Sequence, residues 1–159
     1  MSVLLAKRSK SKVEFITKAI EIETRTLNLL SRLSNRYGRL LADKTMEQAI
    51  DVVVNVERAN SVFVRDESEY NLRKEYLLKA RASLSSLDVM LCTVFDTLRL
   101  NPQGAFTTST GKSVSENDAI HRLDSISLEL GQSIEQEFSL IKGVLDSDKL
   151  RYQNMLKTT

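Results

Sequence analysis

Apolar side chains recur every three or four residues along most of this 159-residue chain. From Lys12 to Leu33 this spacing, with a polar opposite face, predicts a first amphipathic helix. A second apolar series runs from Leu41 to Phe63, and Asn35 is its expected N-terminal cap. The run of three valines at 52–54 lies inside this series, and we assign it to helix because a lone strand would have no partner.

A third helix is predicted to begin at about residue 67. Asp66 and Glu69 have the spacing of a capping box, in which two side chains satisfy free backbone N–H groups at a helix start. The seam that follows alternates intervals of three and four over about three heptads, as packed helices require. Its residues are Tyr76, Leu77, Ala80, Leu84, Leu87, Leu91, Val94 and Leu98.

Residues 101–111 hold the only proline and two of the five glycines, which predicts a long loop. Ser113 and Glu116 then form a second capping-box candidate. The fourth helix that follows is expected to end near Gly143, because glycine disfavours a helix interior. Its apolar residues are Ile120, Leu123, Leu130, Ile134, Phe138, Ile141 and Leu145.

Four amphipathic helices with short connections predict an all-α fold, an antiparallel up-down four-helix bundle. We divide the chain into a basic tail at 1–11, a single bundle domain at 12–150 with a flexible loop at about 100–114, and a second tail at 151–159. Apolar residues outside the four seams predict a homo-oligomer, because large apolar patches mark interfaces. These residues include Leu29, Val54, Val62 and Phe63.

Catalytic and metal chemistry find little support in the composition. The chain has one cysteine and one histidine, which excludes an internal disulfide and a multi-cysteine zinc site. His121 follows Asp118 by three residues, but a second such pair is absent, so His121 is expected at the surface or its boundary. Cys92 is expected to fill apolar space. We predict no enzyme, no metal and no cofactor.

Membrane insertion is also disfavoured, since no run of eighteen apolar residues exists. The apolar opening at residues 3–6 is too short for a secretory signal, and we expect a cytoplasmic protein without a membrane partner.

Positive charge is concentrated at the start of the chain. The formal net charge is only +2, yet residues 1–44 hold ten Lys and Arg against four Asp and Glu. Lys18, Arg25 and Arg32 repeat every seven residues and so share one helix face. Clusters of this kind bind phosphate backbones with little sequence preference. The candidate nucleic-acid-binding residues are Lys7, Arg8, Lys10, Lys12, Lys18, Arg25, Arg32, Arg36 and Arg39.

A structural interpretation of these charges stays open: a solvated tail, together with helix ion pairs at i,i+4 spacing. Four pairs have the acid first, the favourable order. They are Glu14 with Lys18, Glu21 with Arg25, Glu69 with Arg73, and Glu75 with Lys79.

Three segments carry a family resemblance: residues 7–15, residues 58–63, and residues 72–80 with the sequence LRKEYLLKA. Over roughly residues 7–98 the chain resembles the Avd-like four-helix bundle family. Members are accessory proteins of diversity-generating retroelements, with relatives encoded in intervening sequences of ribosomal RNA genes. The resemblance implies a cationic homo-oligomeric ring, commonly of five subunits, that binds nucleic acid and the reverse transcriptase of the element. Such proteins assist mutagenic reverse transcription without catalysing it.

The fourth helix departs from that cationic character, since residues 115–150 hold eight Asp and Glu against three Lys and Arg. This acidic segment could shape a docking surface for a partner or shield the ring from nonspecific nucleic acid. Two function classes therefore follow: a subunit that binds RNA or DNA and a reverse transcriptase, or a structural bundle that assembles through its helices without nucleic acid.

Overall fold

Every regular element in the described part of the chain is helical. The computed structural model describes residues 13–106, 112 and 114–158. Four long helices are α1 (Glu14–Leu30), α2 (Asp43–Ser61), α3 (Glu67–Arg99) and α4 (Glu116–Thr158). A helical turn (Asn35–Tyr37) and a π turn (Gly38–Ala42) lead into α2, and a 3₁₀ turn (Gln103–Phe106) follows α3.

The first two predicted helices exist, with different ends. The predicted start of the first helix at Lys12 lies outside the described residues, and α1 ends at Leu30 rather than at Leu33. Ser34, not Asn35, is the extended residue before the helical turn, so the predicted cap was wrong by one position. The valine run is helical as predicted, and Val52 is fully buried in α2.

The capping prediction for α3 is confirmed at its first bond. Asp66 Oδ1 accepts from the Glu69 N–H at 2.8 Å, and α3 begins at Glu67. The return bond differs from the expected box, since Glu69 Oε2 accepts from the N–H of Arg65 at 2.9 Å. The predicted seam is buried in seven of its eight residues, and Tyr76 is half-buried. Local spacing was therefore sufficient to orient α3.

The expected end of the fourth helix near Gly143 was wrong, because α4 continues to Thr158 and includes most of the predicted tail. A glycine costs about 1 kcal/mol in a helix interior. Contacts beyond Gly143 offset this cost: Asp148 pairs with Arg73, and the ring of Tyr152 stacks on Tyr70 with centroids 4.5 Å apart.

At the start of α4 the Ser115 hydroxyl accepts from the Asp118 N–H at 3.2 Å. The predicted cap Ser113 lies outside the described residues.

Each long helix contacts two others: α1 packs on α2 and α4, and α3 packs on α2 and α4. The core between them is built from apolar side chains of all four helices, among them Ile22, Val56, Leu84 and Ile141. Leu29 belongs to this core at 2% exposure, contrary to its expected place outside the seams. Phe63 remains 74% exposed.

Two carboxyl side chains of α4 are buried in different surroundings. Asp148 Oδ2 receives the Nε–H of Arg73 at 2.5 Å. Glu137 is fully buried, and neither of its oxygens has a hydrogen-bond partner among the described residues. Burial raises the pKa of Glu137 to about 8, although the positive charge of Lys18 acts in the opposite direction.

None of the helices in the described ranges combines the length and apolar composition needed to cross a bilayer.

Candidate nucleic-acid interface

The structure divides the nine predicted cations into three groups. Lys7, Arg8, Lys10 and Lys12 lie outside the described residues, so their role stays a prediction. Among the other five, two lie in ion pairs, one braces the loop after α3, and two are exposed at the junction of α1 and α2. The seven-residue repeat on α1 is therefore not one uniform binding stripe.

Lys18 and Arg25 face α4 and pair with carboxylates. Lys18 Nζ lies 2.6 Å from Glu21 Oε2, and Arg25 Nε lies 3.0 Å from Glu21 Oε1. Arg25 Nη1 also lies 2.6 Å from Glu129 Oε2, and the Ser133 hydroxyl donates to Glu21 at 3.2 Å. The hydrogen bond from Lys18 lowers the pKa of Glu21, with burial opposing. A phosphate would have to compete with these carboxylates for either cation.

Arg32 connects α1 to the loop after α3. Its Nη1 donates to the Ala105 carbonyl at 3.3 Å, and its Nη2 donates to Asn28 Oδ1 at 3.3 Å. The guanidinium lies 4.7 Å from the ring centroid of Phe106, and Arg122 lies 5.6 Å from the same ring. Arg32 therefore orders the 3₁₀ turn, and its positive charge lies near the end of α1.

Arg36 and Arg39 are exposed on the helical turn and the π turn before α2. Neither has an ion-pair partner within the described ranges, whereas Lys18 and Arg25 both do. Tyr37 lies between the two arginines in sequence and keeps 37% of its surface exposed. These three residues form the most accessible cationic surface among the predicted sites that the structure describes.

A cavity of about 670 Å³, which we call the junction cavity, has Tyr37 in its wall, the residue that lies between these arginines in sequence. Its walls come from the end of α1, the turn before α2 and the end of α3. The backbone of Gly104 lies close to the side chain of Asn101, and Asn101 Oδ1 accepts a hydrogen bond from the Gly104 N–H at 3.3 Å. A Cβ at Gly104 would lie 2.6 Å from Asn101 Nδ2, so glycine allows this close approach. Polar residues of the walls include Asn28, Ser31, Arg32, Ser34, Tyr37 and Asn101.

Sequence reasoning missed Tyr37, Asn28 and Asn101 as parts of this surface. Tyr37 had a local signal, because an aromatic residue between Arg36 and Arg39 is the interleaving typical of nucleic-acid binding. The two asparagines had none, since 73 residues separate them in the chain. Only the packing of α1 against the end of α3 brings them to one cavity.

His121, considered as a metal ligand, and Cys92, considered as a nucleophile, are both absent from the walls of the junction cavity. His121 is exposed, as predicted, near the start of α4. Cys92 is also exposed, so its expected role as an apolar filler was wrong. Cys92 lines a groove between α3 and α4, and Leu29 of α1 also lines this groove. No group of three or more His, Cys, Asp or Glu is placed to hold a metal ion in the ranges described.

Comparison of the chain with protein-family models, with curated proteins and with solved structures found no match.

Proposed function

We propose that this chain is a non-catalytic accessory protein that binds nucleic acid and a reverse transcriptase. In this role it acts in the cytoplasm and assists mutagenic reverse transcription in a diversity-generating retroelement. The resemblance of residues 7–98 to the Avd-like family supports the proposal, as does the all-helical fold of the described residues.

The proposal includes an antiparallel up-down arrangement of the four helices. Contacts between α1 and α4, and between α3 and α4, support it, because a step forward along one helix is a step backward along the other. The contacting pairs are Glu21 with Ser133, Arg25 with Glu129, Arg73 with Asp148, and Arg99 with Asp124.

The observation that carries nucleic-acid binding is the difference between paired and unpaired cations. Lys18 and Arg25 already have carboxylate partners, whereas Arg36 and Arg39 are exposed without one in the described ranges. An unpaired cation releases a counterion from a phosphate backbone at no cost in broken ion pairs. The exposed surface of Arg36, Tyr37 and Arg39, together with the basic segment at 7–12, is therefore the proposed binding surface.

Salt dependence of binding tests this assignment. We expect the double variant Arg36→Gln/Arg39→Gln to flatten the log–log slope of affinity against salt by roughly 1.4 to 1.8, at about 0.7 to 0.9 per phosphate contact. The matched control Lys18→Gln/Arg25→Gln removes the same charge from paired cations and should change the slope by less than half as much. An equal effect of both double variants would exclude a specific role of Arg36 and Arg39 in binding.

A second variant replaces the basic segment with alanine at Lys7, Arg8, Lys10 and Lys12. It should flatten the salt slope further and weaken binding to nucleic acids of every sequence equally, because no base-reading motif is involved. An unchanged slope would exclude this segment from the interface.

Binding to the reverse transcriptase is tested by co-purification with a reverse transcriptase encoded beside this gene, with and without nuclease. Recovery that survives nuclease indicates direct protein contact, whereas recovery lost with nuclease indicates a nucleic-acid bridge. Absence of recovery in both conditions would contradict this half of the proposal.

Assembly into a homo-oligomer, with five subunits as the resemblance implies, forms part of the proposal. Exposed apolar side chains support it, since exposed apolar surface can serve as an interface. They include Leu27, Leu40, Phe63, Val89, Leu100 and Leu128. Light scattering that gives a strict 18.0 kDa monomer at micromolar concentration would contradict it.

A structural bundle that assembles without nucleic acid is the alternative. The pairing of Lys18 and Arg25 with carboxylates favours it, because these two cations are explained by the fold alone. The intact chain would then show no salt-sensitive binding to RNA or DNA.

A further inference from the structure

The junction cavity differs in charge from three other cavities at the surface of the described residues. One of these has Glu14 and Glu135 in its walls, and the other two share Asp88. The described walls of the junction cavity contain Arg32 and no carboxylate. A phosphorylated ligand would meet an opposite charge there and no like charge.

The polar groups of the cavity suit a nucleobase. Asn28 and Asn101 each place an amide in the walls, and each amide nitrogen can donate to an acceptor on the edge of a base, while the amide oxygens accept from Arg32 and from the Gly104 N–H. The ring of Tyr37 is exposed enough to stack on a base, and such stacking tolerates any base. The cavity volume of about 670 Å³ lies within the usual range for small-ligand sites.

We propose that the junction cavity holds one unpaired nucleotide of a single-stranded nucleic acid. Its base stacks on Tyr37, and its phosphate lies toward Arg32 and the neighbouring Arg36. A base inside a duplex is stacked and paired, and it would have to leave the helix at a cost to enter the cavity. This inference rests on the proposed function and assigns its ligand class: single strands in preference to duplex.

Fluorescence anisotropy with a labelled short oligonucleotide, single-stranded and as its duplex, tests the inference at one fixed salt concentration. Tyr37→Ala removes the stacking on one base and should weaken binding of the single strand roughly 5-fold to 150-fold. Tyr37→Phe keeps the aromatic ring and should bind like the parent chain. Duplex affinity should change little in either variant, because duplex binding depends on the exposed arginines.

Asn101→Asp provides a second variant that keeps the side-chain shape and the acceptor for the Gly104 N–H. It places a carboxylate in the cavity, and we expect weaker binding of the single strand with little change for the duplex. Thermal unfolding of each variant verifies that the fold is retained.

Equal effects of Tyr37→Ala on single strand and duplex, or no effect on either, would overturn the inference and leave the proposed function intact. Absence of binding by the parent chain to both probes would remove the proposed function as well. A nucleoside monophosphate that binds through Tyr37 as tightly as the oligonucleotide would overturn the assignment to a strand.

Discussion

The region of α4 around Asp148 and the region around Glu137 place the same chemical group in opposite situations. Both carboxyls are buried, three helical turns apart. Asp148 forms an ion pair with Arg73. The Nη1 of this arginine also donates to the carbonyls of Ala59 at 2.6 Å and Val62 at 3.2 Å. Glu137 has no hydrogen-bond partner among the described residues.

The comparison shows two ways in which a buried acid is accommodated. At Asp148 an arginine compensates for the lost hydration of the charge, and the same arginine donates to the carbonyls of Ala59 and Val62 at the end of α2. At Glu137 a proton removes the charge, because burial raises its pKa to about 8 and the group is neutral at pH 7. The first arrangement ties three elements together, whereas the second leaves a group whose charge depends on pH.

Removal of the arginine should have the largest effect. We expect Arg73→Met to lower the free energy of unfolding by about 3 to 5 kcal/mol, because Asp148 becomes a buried charge without a partner. Urea denaturation measures this loss. The double variant Arg73→Met/Asp148→Leu removes both charges and should recover most of it, and a loss below about 1 kcal/mol in the single variant would show that the pair is dispensable.

A change of pH should affect Glu137 next most strongly. Its folded pKa of about 8 lies above the ordinary value of 4.5, so between these values the unfolded chain loses a proton that the folded chain keeps. The free energy of unfolding should therefore fall as pH rises, by about 1.4 kcal/mol per pH unit and about 2 to 3 kcal/mol from pH 5 to pH 7.

Glu137→Gln isolates this contribution, because it removes the titrating group and keeps the side-chain length. Denaturation curves at several pH values should diverge for the two chains between pH 5 and pH 8. Parallel curves over this interval would show that Glu137 is solvated or paired in solution.

The network on α1 should give the smallest effect. Glu21→Gln breaks the pairs with Lys18 and Arg25, and we expect a loss of about 0.5 to 1 kcal/mol, since these side chains are partly exposed. The pKa of Glu21 is lowered, so the contribution is present above pH 4.5 and disappears as pH falls below the folded pKa. High salt should reduce the difference, whereas a loss as large as that of Arg73→Met would mean that exposure does not weaken this network.

Ion pairing illustrates how far local sequence reaches. The predicted pairs Glu21 with Arg25 and Glu75 with Lys79 are confirmed, at 3.0 Å and 2.6 Å. The other two are replaced: Lys18 lies against Glu21 instead of Glu14, and Arg73 turns from Glu69 to Asp148. Arg73 pairs with the buried carboxylate of Asp148, distant in sequence, and not with the nearer, more exposed carboxylate of Glu69, because the interaction is stronger away from water.

The candidate interface likewise combines features that local sequence predicts with features that depend on helix packing. The sequence identified Arg36 and Arg39 as cations but did not separate them from Lys18 and Arg25, which have the same local character. Accessibility depends on the position of α4, whose Glu129 pairs with Arg25 and whose Ser133 donates to Glu21, the partner of Lys18. Local sequence patterns do not predict the junction cavity, because its walls come from segments far apart in the chain.

Local spacing is sufficient to predict the helices, the buried seam of α3 and the cap at Asp66, because each depends on residues three or four positions apart. Packing between the helices sets which charges are paired, how far α4 extends and which acid carries a proton. These properties depend on distances between helices and on removal from water. The contacts of Asp148 with Arg73 and of Tyr152 with Tyr70 stabilise α4 beyond Gly143. Burial between the helices raises the pKa of Glu137.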